Sequence, residues 1–168
     1  MASDRSLPFD PIAEATRQWR AHDWDDAAAG MAAVTSVVRV QQIMMARVEA
    51  VLRPHDLTFA RYELLMLLFF SRTGALPLAR IGARLQVHPA SITNVVDRCQ
   101  TQGLVRRRPH PTDRRATLAE ITPAGRELVL KATDSLNREV FADLGLSREE
   151  TDVLVTVLAR FRSGHGDF

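Results

Sequence analysis

The sequence predicts a mainly α chain carrying one small β-hairpin, and three observations lead there. Residues 31–53 hold no Gly or Pro and set Val34, Val37, Val38, Met44, Met45, Val48, Val51 and Leu52 at helical spacing. Two shorter apolar stripes, Ile81 with Leu85 and then Ile92, Val96 and Cys99, flank a three-residue break at 86–88. After Gly103 the pattern becomes that of two short strands, 104–108 and 115–121, around a turn at 109–114.

Taken in order, the first 26 residues contain Pro8, Pro11, Trp19 and Trp24 and hold at most one short helix, over about 12–20. The helix over 30–53 stops at Pro54. Thr58 caps the next, FARYELLMLLFFS, which is apolar almost all round from Leu64 to Phe70 and so needs burial on most faces. Gly74 and Pro77 punctuate the chain before a short amphipathic helix, LPLARIGARL, at 76–85. Pro89 occupies the first position of the helix PASITNVVDRCQTQ, with His88 as its cap and Gly103 as a left-handed stop. Two short helices joined by a tight turn read as a helix-turn-helix, and the hairpin behind them as its wing. Thr122-Pro123 opens a long helix to about residue 144. The capping-box spacing from Ser147 to Glu150 opens a last one to about 162.

Composition narrows the function. Hydrophobic residues make up 46% and charged residues 25% of the 168, as in an ordinary globular protein. No run approaches the roughly 18 apolar residues of a membrane span, and the start lacks the pattern of a signal peptide, so no membrane partner is expected. A single cysteine excludes an internal disulfide, which suits a cytoplasmic setting. The five histidines are scattered without metal-ligand spacing, and neither a metal nor another cofactor is expected. With no nucleophile elbow, phosphate loop or paired-carboxylate motif, an enzyme is not expected either. The charge distribution points elsewhere. Residues 80–115 carry eight arginines against Asp97 and Asp113, whereas the whole chain is only +2. A basic segment in an acidic remainder suits a surface aimed at a polyanion, here double-stranded DNA.

A helix whose first turn carries small polar groups enters the major groove and bonds base edges. In the second helix of the pair these are Pro89, Ala90, Ser91, Thr93 and Asn94, with Arg98 one turn on. The wing adds Arg106, Arg107 and Arg108 on one side and Arg114 and Arg115 at its tip. Arginine at a hairpin tip reaches the narrow minor groove while its neighbours, Arg106 and Arg108, pair with phosphates. Asp113 is assigned to holding a wing arginine in place.

The segment GLVRRRPHPTDRRATLAEITPAGR, 103–126, resembles the wing of the MarR family, whose hallmark is Asp-x-Arg, a strand, and a Leu/Ile-Thr-x-x-Gly helix start. Asp113, Arg115, Ile121, Thr122 and Gly125 match, and the order of elements matches over about 30–163. The resemblance implies a winged helix-turn-helix at 58–122, dimerisation helices at 27–57 and 123–168, and an N-terminal extension at 1–26. It makes Arg115 the minor-groove arginine and Asp113 its orienting partner. It also implies a homodimer with two recognition helices about one DNA turn apart.

The family's effector pocket would lie between the dimerisation and DNA-binding parts. Met45, Tyr62, Phe69 and Phe70 fit such a pocket, for a small aromatic or other apolar acid, or simply the core; periodicity does not separate the two. Trp19 resembles the tryptophan of urate-responsive members with an extra N-terminal helix, but the reading favoured over that one is that Trp19 and Trp24 pack the extension onto the dimer. Cys99 shares the stripe of Ile92 and Val96 and is assigned to the core, not to redox sensing. The expected function is a sequence-specific DNA-binding regulator, a repressor released by a small molecule. The alternatives are a regulator without an effector and a winged helix used for protein contacts.

Overall fold

The computed structural model describes residues 7–85, 89–113 and 116–168, as a mainly helical chain with a three-stranded antiparallel sheet. The break at 86–88 with the cap His88, and the wing-tip Arg114 and Arg115, lie outside the described residues, as do the side chains of Pro89 and Ala90. Two units are distinguished, Met1–Glu49 and Ala50–Phe168.

In the first unit, helix α1 spans Pro11–Ala21 because the Asp10 carboxylate accepts from the Ile12 N–H at 2.9 Å and Pro11 needs no partner for its nitrogen. Helix α2, Asp25–Leu52, runs on into the second unit. It starts five residues before Gly30, where the sequence suggested its beginning. Asp25 and Asp26 favour the positive end of the helix and Ala27–Ala29 propagate it, so one glycine does not stop it.

In the second unit a 3₁₀ turn, Arg53–His55, carries Pro54, and Asp56 takes a left-handed conformation at φ 51°. Helix α3, Phe59–Phe70, is capped by the Thr58 hydroxyl, and Leu64, Leu65 and Leu68 are fully buried on it. Phe70 departs from the expectation of all-round burial: it is 74% exposed, at the last residue of the helix. The stretch expected to begin a helix at Leu76 forms instead strand β1, Ala75–Pro77, before helix α4, Leu78–Leu85. Pro77 is tolerated because β1 is an edge strand. Helix α5, Pro89–Thr101, follows, and then strands β2, Val105–Pro109, and β3, Thr117–Ile121. The sheet order is β1-β3-β2, so β3 pairs with both others. Helix α6, Pro123–Leu136, passes into a π-helical turn at Asn137–Phe141, short of the expected end. Helix α7, Arg148–Gly164, opens on the capping box of Ser147 and Glu150.

The core of this unit joins Leu64, Leu65 and Leu68 to Ile81, Ile92, Val96, Cys99, Ala119, Val129 and Leu136. The wing is tied to α6 at one joint. Thr122 accepts from the Gly125 N–H at 3.1 Å and donates to the Gly103 carbonyl at 2.8 Å. A Cβ on Gly125 would collide with the Leu104 carbonyl, so only glycine lets α6 begin this close to the strand.

Candidate nucleic-acid interface

Helix α5 buries Ile92, Val96 and Cys99 and leaves Ser91, Thr93, Asn94 and Arg98 exposed. The buried stripe fixes the rotation of the helix, and the polar candidates on the opposite arc follow from that. Burial pushes the Cys99 thiol up to about 11, so it remains protonated and acts as a small core residue.

On one side of α5, Arg61 of α3 donates to Gln102 Oε1 at 2.8 Å, and Gln102 Nε2 donates to Asp56 Oδ2 at 2.6 Å. On the other side lies the wing. The register of β2 on β3 puts Arg106 opposite Glu120 and Arg108 opposite Leu118, on one face of the hairpin. Arg106 forks onto Glu120 through Nε at 3.1 Å and Nη2 at 2.8 Å, and Arg108 Nη1 reaches the same carboxylate at 2.9 Å. Hydrogen bonds from Arg106 first and Arg108 second bring the Glu120 carboxyl down to about 2. Arg107 points to the opposite face, where its guanidinium meets Asp97 and donates to Gln100 Oε1 at 3.1 Å, both on α5. The wing is thereby linked to α5 by an ion pair.

At the turn, the N–H groups of Thr112 and Asp113 point at His110 Nδ1, at 3.4 and 3.2 Å. Asp113 thus joins the turn through its main chain, while the pairing expected between it and Arg115 lies outside the described residues. Arg80 and Arg84 of α4 are exposed. What reading the sequence missed are the acids that the wing arginines meet, Asp97 and Glu120, together with Arg61. Strand alternation separates Arg107 from Arg106 and Arg108, but which acid each meets depends on cross-strand register and helix packing.

The residues considered for an effector fall in both units. In the first, Trp19 packs edge-on against Trp24 at 5.3 Å, and Met45 is half-buried. In the second, Tyr62 is buried with its hydroxyl 3.1 Å from Thr133 Oγ1. Phe69 lies under the Arg126 guanidinium at 5.8 Å and against the exposed Phe70.

Comparison with known proteins gives a consistent result. The model of the MarR family matches residues 55–116. The chain is 34% identical over 84 residues to the uncharacterised HTH-type transcriptional regulator YhbI of Bacillus subtilis, a match covering 50% of this chain and about half, 53%, of that relative. It is 48% identical to Sco5413, a MarR family transcriptional regulator from Streptomyces coelicolor, with a TM-score of 0.77 over 83% of this chain and 97% of that one. The fold is also that of Sco3205 from the same organism, solved in complex with DNA: TM-score 0.70 and 21% identity, over 79% and 88% of the two chains.

Proposed function

Because the chain belongs to the MarR family of winged-helix transcriptional regulators, we propose that it binds DNA sequence-specifically as a homodimer and represses until a small molecule releases it. The observation that carries the proposal is the exposed polar arc of α5, Ser91, Thr93, Asn94 and Arg98, beside a wing of three consecutive arginines. Residues 58–122 are the DNA-binding part, with the start of α5, Pro89 and Ala90 included, in the major groove. Arg114 and Arg115 enter the minor groove, Asp113 orients Arg115, and Arg106 and Arg108 take phosphates once they leave Glu120. Residues 27–57 and 123–168 are the dimerisation parts, with 1–26 as an extension. Exposed apolar side chains support this: Val34, Val37, Val38 and Ile43 on α2, and Val153, Val157 and Phe161 on α7.

The effector is a small aromatic or apolar acid, taken in the second unit by the aromatic side chains Tyr62, Phe69 and Phe70. Arg126, stacked on Phe69, supplies a cation for its carboxylate. Release requires the acid to bind the two DNA-affinity states unequally.

The test is fluorescence anisotropy of the purified protein on DNA from upstream of its own gene against a scrambled duplex, at 50 and 200 mM salt. Selective binding that falls on the order of a thousandfold or more across that range is expected for six or more phosphate contacts. Equal, weak binding to both duplexes and to other genomic fragments would move the function to a protein partner.

A further inference from the structure

We propose that the groove between α3 and α5 seats one phosphate of the DNA backbone in each half-site, with Arg61 as its fixed cation. The proposal rests on the DNA-binding reading and extends the interface to an element outside the helix-turn-helix pair and the wing. The groove is a cavity of about 350 Å³ lined by Thr58, Arg61, Ser91, Asn94, Val95 and Arg98. Two guanidiniums, two hydroxyls and an amide face it and no carboxylate among the described residues lines it, a donor set matched to a phosphate diester.

Arg61 is held in place before any ligand arrives. Its side chain is only 13% exposed, with Nη1 on Gln102 at 2.8 Å and Nε 3.4 Å from the Thr58 hydroxyl. Asp56, 3.9 Å from Nη2, is 85% exposed, so water screens its charge. A guanidinium has five N–H groups, and these contacts leave at least two for a ligand. Holding the fork still removes most of the ordering cost of binding an oxyanion.

The seat also divides α5. Ser91 and Arg98 share the flank facing Arg61, whereas Asp97 and Gln100 face the wing through Arg107. Ser91, Asn94 and Arg98, which all line the groove, are thereby committed to the backbone, and base discrimination falls to Thr93 on the exposed arc.

The test uses the full chain and an upstream duplex in which neutral methylphosphonates replace single phosphates in turn. Arg61→Gln should lower the salt slope by about one for each seat and weaken the upstream and scrambled duplexes alike, roughly 3.5-fold less salt loss per seat between 50 and 200 mM. One methylphosphonate per half-site that weakens the wild type should leave Arg61→Gln unaffected, and Arg61→Lys should recover most of the slope. Arg98→Gln, at an exposed position, should be insensitive to the same methylphosphonate, which keeps the test decisive if Arg61→Gln does not fold. Wild-type slope and methylphosphonate profile in both variants would overturn the seat while leaving the DNA-binding reading intact. A wild type that binds no duplex at low salt would overturn both.

Discussion

At Glu120 one carboxylate accepts from both Arg106 and Arg108, two of the side chains assigned to phosphates. DNA and Glu120 therefore compete for the same donors. Glu120→Gln should raise affinity for a scrambled duplex at low salt and steepen its salt dependence by about one phosphate contact, measured by anisotropy. A fall in affinity would instead mean that Glu120 orients the arginines toward the backbone. The same substitution has a pH signature. The Glu120 carboxyl sits near 2 in the folded chain, below its ordinary 4.5, because Arg106 and then Arg108 bond its charged form. A lowered carboxyl adds stability that is fully present above about 4.5 and is lost as pH falls toward 2. The difference in melting temperature between wild type and Glu120→Gln should accordingly shrink across that window and be flat above it. Asp97 behaves differently, since it stands on α5, the helix assigned to the major groove, and is offset there by Arg107. Arg107→Ala would leave that carboxylate facing phosphates without its partner. Arg107→Ala should therefore weaken binding to operator DNA, and Asp97→Asn in the same chain should recover part of the loss. Equal losses in the single and double variants would show that Arg107 acts only as a phosphate ligand.

Among the elements, the junction between the wing and α6 separates two kinds of glycine. Gly103 has φ +71° and open space around it, so Gly103→Ala carries only the strain of a left-handed alanine, about 1 kcal/mol. Gly125 is helical, but its Cβ would strike the Leu104 carbonyl, which as backbone cannot rotate away. Gly125→Ala should cost more, about 1–3 kcal/mol, and thermal melts of the two variants should rank in that order. Both glycines were legible in the sequence, Gly125 as part of the Thr-x-x-Gly start that the MarR resemblance implies and Gly103 by a local rule, as a left-handed helix stop. The long helices were legible for the same reason: caps at Thr58, Thr122 and Ser147 and apolar spacing at 3.6 residues are properties of neighbours along the chain. Strand β1 was not, since three residues ending in proline carry no period and are held only by β3, more than 40 residues away. The interface divided in the same way. The exposed arc of α5 follows from its buried stripe, but the ion pairs of Arg106 and Arg108 with Glu120, and of Arg107 with Asp97, depend on register and packing that no local pattern encodes. Arg61 lies one turn into a helix identified by its apolar residues, and nothing in its neighbours marks it as facing α5.

For the whole molecule, the decisive property of the proposed homodimer is the coupling of two half-sites. In that reading one α5 contacts only a few base pairs, so affinity depends on two copies held a DNA turn apart. The apolar side chains exposed on α7 are the most direct handle on that coupling, because Phe161 is 65% and Val153 63% exposed on a helix of 17 residues. Neither contributes to the buried core, so charge there should spare the fold while opposing self-association. Val153→Asp combined with Phe161→Glu should yield a folded monomer by light scattering, with far-ultraviolet dichroism unchanged. On a full-site duplex its affinity should fall by about 10²–10⁴, the gain expected when a second contact becomes intramolecular. On a half-site duplex, wild type and variant should bind alike. A variant that stays dimeric would shift the interface to the exposed face of α2, where Val34, Val37, Val38 and Ile43 offer the next set of substitutions. A monomer that keeps full-site affinity would mean that each recognition helix acts alone, and the homodimer would then have no part in recognising DNA.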